Sequence, residues 1–158
     1  MVKKMEKVKI YTDGACSGNP GIGGWAVAVI ENNTCKTFTG NEKVTTNNAM
    51  ELIGVLKALQ IILNDKIKNA VIFSDSAYVC NAINNGWLLN WRNNGWRTQK
   101  GEEIKNLDLW QWALQFLLEC KEIGLHVEIK KIKGHSGEIY NELCDKLAKQ
   151  EIKKIKNK

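Results

Sequence analysis

From Val8 to Asp13 the residues alternate with the period of two expected of a half-buried strand. Val8-Lys9-Ile10-Tyr11-Thr12-Asp13 reads as a strand that stops at Gly14, where a turn-rich stretch begins that includes Gly18-Asn19-Pro20-Gly21. Trp25 to Ile30 and Cys35 to Thr39 read as two further strands joined at Asn32-Asn33, which makes an antiparallel meander. The period then changes. From Thr46 to Leu63 the apolar residues Leu52, Val55, Leu56, Leu59, Ile62 and Leu63 recur at helical spacing, and Thr46 or Asn47 can cap the start. Ala70 to Phe73 is a short continuous apolar run, as expected for a strand buried on both faces, and Asp75 ends it.

Ala77 to Ile83 and Gly86 to Trp91 read as short helices, followed by an irregular arm around Gly95 and Gly101 and a longer helix from about Glu103 to Cys120. His126 to Ile132 is a last strand and Tyr140 to Ile155 a last helix. Strands first, then alternating helices and strands, predict an α/β fold: a mixed sheet with helices on its faces. A length of 158 residues with 44% hydrophobic content suits one domain over residues 1–158, ending in a lysine-rich tail from about residue 153. No apolar run reaches the roughly 18 residues of a spanning helix, and no apolar signal segment opens the chain. A soluble, cytoplasmic monomer with no membrane association is the expectation.

Composition narrows the chemistry. Cys16, Cys35, Cys80, Cys120 and Cys144 form no Cys-x-x-Cys pair and come with only His126 and His135, so zinc spacing is absent and reduced thiols are expected. Cys144 suits the role of a small buried hydrophobe. The net charge of +6 permits attraction to a polyanion. Much of that excess lies at the two ends, in Lys3, Lys4, Lys7 and Lys9 and in Lys149, Lys153, Lys154, Lys156 and Lys158. Such a run is more often a solvated face or a frayed tail than a binding surface.

The acidic residues carry more information. Lys9, Tyr11 and Asp13 share one strand face, and Val71, Phe73 and Asp75 share another, so both aspartates fall at carboxyl ends of strands. If the two strands are parallel neighbours, the aspartates lie side by side where open α/β sheets carry their sites. On its helix Glu51 points within about 40° of Val55 and about 20° of Ile62, toward the sheet. A carboxylate there requires a cation or a donor; the alternatives are a flank residue reaching solvent or a pair with lysine. Asp145 shares a face of the last helix with Asn141 and Lys149, beside an apolar set of Leu143, Leu147 and Ile139. Converging acids raise one another's pKa and are relieved by hard divalent cations, which predicts magnesium or manganese.

Five stretches then match one family in order and spacing. They are Tyr-Thr-Asp-Gly-Ala-Cys-Ser-Gly-Asn-Pro-Gly from Tyr11, Thr-Thr-Asn-Asn-Ala-Met-Glu-Leu ending at Leu52, Ser-Asp-Ser around Asp75, Lys-Gly-His-Ser-Gly from Lys133, and Asn-Glu-Leu-Cys-Asp-Lys-Leu-Ala from Asn141. The chain resembles the bacterial type of ribonuclease H, type 1, over nearly its whole length. The resemblance implies a ribonuclease H-like fold with a five-stranded mixed sheet and an endonuclease that cuts the RNA strand of RNA–DNA hybrids. It also implies two Mg2+ ions, with Mn2+ able to substitute, and 5′-phosphate and 3′-hydroxyl products. In family terms Asp13, Asp75 and Asp145 would surround the metal that activates water, and Asp13, Glu51 and Asp75 the metal near the leaving oxygen. His135 resembles the family histidine of proton transfer and product release, and Glu142 an accessory acid. Cys16 to Asn19, Asn47 and Asn48 match segments that line the minor groove, where the 2′-hydroxyl separates RNA from DNA. Thr46 and Asn106 match part of a DNA-phosphate pocket.

Trp87 resembles the residue of a protruding substrate handle that packs on deoxyribose, while Trp91 and Trp96 read as structural pegs holding that arm. Three departures from the bacterial pattern stand out. The arm, Arg92-Asn93-Asn94-Gly95-Trp96-Arg97, is less basic than a lysine-rich handle, Ala49 replaces a basic residue, and Ala77 replaces a longer polar one. Each removes a possible phosphate or groove contact while the acidic set stays complete. Competing readings are a hybrid-binding module without turnover, an exonuclease or integrase-like enzyme on the same fold, and a domain of a reverse transcriptase. The complete acidic set, the Thr-Thr-Asn-Asn and Gly-His motifs and the start at Met1 favour the free-standing nuclease.

Overall fold

The computed structural model describes residues 7–134 and 138–158. Among them the elements run β1 (Val8–Gly18), β2 (Gly21–Glu31), β3 (Thr34–Thr45), α1 (Asn47–Asp65), β4 (Asn69–Ser74), α2 (Ala77–Asn84), α3 (Trp87–Asn93), α4 (Leu107–Glu122), β5 (His126–Lys131) and α5 (Ile139–Lys156). One sheet holds the strands in the order β3-β2-β1-β4-β5. β1, β2 and β3 pair antiparallel, and β1, β4 and β5 pair parallel, so the sheet is mixed as the pattern predicts.

β1 does not stop at Gly14. Every residue from Lys9 to Gly18 pairs with β2, from Ile30 back to Gly21, which leaves only Asn19 and Pro20 as a hairpin loop. Ladder hydrogen bonds need no side chain, so a stretch that reads as turn by propensity is held extended by its neighbour. At the next hairpin Asn32 and Asn33 both take positive φ, at 50° and 64°, the backbone a two-residue turn between twisted strands demands.

Thr46 caps α1, its side chain accepting from the Ala49 N–H at 3.1 Å. On that side of the sheet Ile10, Val27 and Ile72 pack against Leu52, Val55, Leu59 and Ile62 of α1, with Trp110 of α4 fully buried behind them. α4 begins at Leu107, four residues later than Glu103. Glu102 and Glu103 are used earlier: Thr98 bonds Glu102 through backbone and side chain, and the backbones of Arg97 and Glu103 form an isolated antiparallel bridge. Asn106, in the left-handed region at φ 59°, then turns the chain into the helix.

α5 covers the opposite face, where Cys144 and Ala148 meet Tyr11, Ala26 and Ala28. Its buried stripe is Asn141, Cys144, Ala148, Glu151 and Ile152. The apolar set expected beside Asp145 does not form that stripe: Ile139 is 74% exposed, and Leu143 and Leu147 are only half-buried. The reason is space. A Cβ added at Gly24 of β2 would lie 2.2 Å from the Ala148 carbonyl oxygen, so only the small side chains fit under the helix. Glu151 is buried yet satisfied, accepting from Thr39, Asn41 and Lys154. Lys153, Lys154 and Lys156 lie within α5, which stays helical through Lys156. Among the described residues no helix is long and apolar enough to cross a membrane.

Gly24→Ala is expected to lower stability by about 1–3 kcal/mol, the usual cost of overpacking. Urea unfolding checks this, and an unchanged midpoint would contradict the close seating of α5.

Candidate active site

The parallel pairing of β1 with β4 ends at Tyr11 and Phe73, and each strand places an aspartate two residues further on. β4 stops at Ser74, whereas β1 runs on beside β2 to Gly18. Beyond the last parallel pair the two strands therefore part, and Asp13 and Asp75 stand at the opening. This is the crevice at the carboxyl ends of strands where open α/β sheets take ligands.

α1 brings the third acid. Asp13, Glu51 and Asp75 each offer a carboxylate oxygen, all within 4.8 Å of one another. Asp13 is 5% and Glu51 4% exposed. The Gly14 N–H donates to Asp13 Oδ1 at 3.0 Å and also to Glu51 Oε1, which ties the two carboxylates to one backbone group. Glu51 Oε2 is buried and has no hydrogen-bond partner among the described residues. Of the alternatives open for Glu51, it reaches neither solvent nor a lysine among the described residues.

Asp145 lines the same cleft, about 520 Å³ in volume, from the α5 side but stands outside the tight trio, with Lys149 donating to its Oδ2 at 3.0 Å. Its negative field still reaches Asp13. Burial first, and then the charges of Asp75 and Asp145, push the Asp13 carboxyl from 3.8 to about 7, against the lowering effect of its hydrogen bonds from Glu51 and Gly14. Burial likewise raises Glu51 well above the usual carboxylate range, followed by Asp13 and Asp75. Burial and the neighbouring carboxylates together favour the protonated forms of Asp13 and Glu51. A buried oxygen without a donor costs on the order of 1–3 kcal/mol, and an all-oxygen acidic set suits a hard divalent cation, so these residues fit a metal.

Cys144 is the small buried hydrophobe expected. It is fully buried, its Sγ donates to the Tyr11 carbonyl at 3.5 Å, and burial, then Asp13, pushes its thiol up to about 12. All five cysteines are free.

The residues expected at the substrate fall into three places. Cys16, Asn47 and Asn48 line the acidic cleft, with Ala77 also in its wall. Asn19, Thr46, Asn47, Asn48 and Asn106 line a neighbouring cavity of about 560 Å³. Asn19 Oδ1 accepts from the Asn47 N–H at 3.3 Å, which joins the β1–β2 loop to the start of α1. Trp87 stands apart, 41% exposed, in a separate cleft of about 590 Å³ with Asn93, Asn94 and Arg97. Trp91 and Trp96 pack against the core as pegs do, Trp91 edge-on to Trp110 at 5.4 Å. Glu142 is exposed in the first turn of α5. His135 lies outside the described residues.

Sequence reasoning missed Tyr78. Its hydroxyl accepts from Asn106 Nδ2 at 3.1 Å and from Trp110 Nε1 at 2.8 Å, and its side chain borders both the acidic cleft and the neighbouring cavity. The signal was its place three residues after Asp75, in the first turn of a helix that starts at the crevice. Lys105, beside Asn106 in the second cavity, was missed as well.

Four carboxylates lining one cleft, where the central strands of a mixed open sheet part, suit a metal-dependent, phosphodiester-cleaving hydrolase. The family model described as RNase H matches residues 5–153. Ribonuclease H of Acetivibrio thermocellus is 47% identical over 154 residues, covering 98% of this chain and 100% of the relative. The solved structure of LC9-RNase H1, a type 1 RNase H with the type 2 active-site motif, superimposes with a TM-score of 0.75 at 30% identity over 94% of this chain and 74% of that one. LC11-RNase H1, solved in complex with an RNA/DNA hybrid, shares the fold at a TM-score of 0.67 and 22% identity, over 94% of this chain and 99% of that one. The chain belongs to the ribonuclease H family and is a nuclease.

Because the folded protein holds the Asp13 proton more tightly than the unfolded chain, ionising Asp13 costs stability progressively as pH rises from 3.8 to about 7. Asp13→Asn is therefore expected to stabilise the metal-free protein by about 1–3 kcal/mol at pH 8 and by little near pH 3. Thermal unfolding in EDTA at the two pH values checks both the sign and the window.

Proposed function

We propose that this protein is an endoribonuclease that hydrolyses the RNA strand of RNA–DNA hybrids, leaving 5′-phosphate and 3′-hydroxyl ends. The observation that carries this reading is the trio of buried Asp13 and Glu51 with half-buried Asp75, which leaves one Glu51 carboxylate oxygen without a partner among the described residues, in an open polar cleft. Asp13, Glu51 and Asp75 would hold one divalent cation, and Asp13, Asp75 and Asp145 a second; magnesium fits the all-oxygen set and manganese can replace it. Two such ions stabilise both the entering and the leaving oxygen of an in-line displacement.

The chain's own groups then bind and orient. Cys16, Asn19, Asn47 and Asn48, along the rim from the cleft into the next cavity, would sense the minor groove, where a 2′-hydroxyl both donates and accepts. Thr46 and Asn106, with Tyr78 fixing the Asn106 amide, would grip a phosphate of the DNA strand. Trp87 would pack on deoxyribose. His135 would serve in proton transfer and product release, and Glu142 would assist as an accessory acid. A single domain acting as a monomer in the cytoplasm completes the reading, and the hybrid-bound state of a relative with the same fold is consistent with the substrate.

End-labelled hybrid, duplex RNA and duplex DNA, each with magnesium and with EDTA, test this directly. Cleavage is expected only of the RNA strand in hybrid and only with the metal, and Asp13→Asn is expected to lower it by at least a hundredfold. Cleavage that survives thorough chelation would overturn the two-metal mechanism.

The arm gives a separate expectation. Asn93 and Asn94 line the cleft of Trp87, so changing both to lysine adds phosphate contacts that act alike on ground and transition states. KM for hybrid should fall severalfold with kcat little changed, whereas Trp87→Ala should raise KM. Binding by the double-lysine variant that is no tighter at low salt would remove the arm as a substrate handle.

A further inference from the structure

Between residues 146 and 158 the chain carries six lysines against one carboxylate, Glu151. Glu151 is buried and pairs with Lys154, so this part of α5 exposes no negative charge to offset the others. Lys149, Lys153 and Lys156 follow at i, i+4 and i+7, within about 40° of one direction on the helix, and all three are exposed.

Two contacts show where this stripe runs. At one end Lys149 pairs with Asp145 and lines the acidic cleft. At the other end Lys156 donates to Ser17 Oγ at 2.6 Å, on the part of β1 that continues past β4. The spans agree: Asp145 to Lys156 rises about 16 Å along the helix, and Asp13 to Ser17 covers about 13 Å along the strand. The lysines therefore flank the β1 extension, from the acids to the hairpin loop at Asn19 and Pro20. Beside them Ala15, Cys16, Ser17 and Gly18 bring no charge.

We propose that Lys149, Lys153 and Lys156 form a second nucleic-acid contact surface, which holds the phosphate backbone of the hybrid where it leaves the acidic cleft along the β1 extension. This rests on the hybrid-cleaving reading and adds to it the track the substrate follows. It also adds to an arm that Asn93 and Asn94 leave less basic than a lysine-rich one, because α5 supplies cations at the acidic cleft. The simpler role for lysines here is to complement the negative end of the helix dipole, and Lys121 occupies the same position on α4, in its last turn.

The test measures binding of labelled hybrid to the full chain in EDTA between about 50 and 200 mM salt, for wild type, Lys153→Gln/Lys156→Gln, the matching double arginine variant, and Lys121→Gln. Each lost phosphate contact flattens the log–log salt dependence by about 0.9, so the double glutamine variant is expected to lose about 1.8 from the slope. Its deficit relative to wild type should then shrink about tenfold across that salt range. The arginine variant should keep the wild-type slope, and Lys121→Gln should leave it unchanged. A double glutamine slope parallel to wild type, with only a lowered unfolding temperature, would overturn the proposal and leave the lysines as helix-end charges. Cleavage assays run alongside separate the two readings: wild type that cleaves hybrid with an unaltered variant slope loses only the lysine track, whereas wild type that cleaves no hybrid loses the function on which it rests.

Discussion

Gly14 sits so close beneath α1 that a Cβ there would come within 2.4 Å of the Met50 carbonyl carbon. Any side chain would lift the helix off the strand, and with it Glu51 away from Asp13. The same residue gives its N–H to both carboxylates, so one backbone position sets the helix–strand distance and binds the two acids it brings together. The continuation of β1 beyond β4 depends on this stretch as well, because the residues that leave the parallel ladder at Tyr11 are kept extended by β2 alone.

The cluster built there opposes folding. Burial drives Asp13 and Glu51 toward the protonated form, and Glu51 Oε2 finds no donor among the described residues. The opposing contribution comes from ordinary packing on both faces of the sheet, through the α1 core and the small-residue seam of α5. Local destabilisation at a functional site, offset by the surrounding fold, is the usual place for such a rule to be broken. Glu151 makes the contrast plain. It is as buried as Asp13, yet hydrogen bonds from Thr39, Lys154 and Asn41 outweigh its burial and hold its carboxyl below the usual range. What separates them is the company each keeps: Glu151 has a lysine and two neutral donors, whereas Asp13 has the charges of Asp75 and Asp145.

Tyr78 and the α5 lysines extend the working surface beyond the acids. Tyr78 uses its hydroxyl to join Asn106, at the start of α4, to Trp110 in the core, so the second cavity is held by the main hydrophobic cluster rather than by loops alone. α5, by seating closely on Gly24, puts Asp145 and Lys149 at the cleft and Lys156 at Ser17. One close-packed helix thus serves the acids and the cationic track together.

By itself the sequence determined the alternation of strands and helices, the α/β class, the four acids that line the cleft and the family, because hydrophobic periodicity and short motifs are local properties of the chain. Asn32-Asn33, Thr46 and Cys144 were legible for the same reason, each following from one residue's own chemistry. Only the tertiary structure decided how far β1 runs, since its glycine-rich half is extended by pairing that no local propensity encodes. It alone decided that α4 starts at Leu107, that small residues rather than Leu143, Leu147 and Ile139 face the sheet, and that Asp145 stands outside the tight trio. Those outcomes depend on the space between elements distant in sequence, and a residue's own character carries no measure of the room its neighbours leave it.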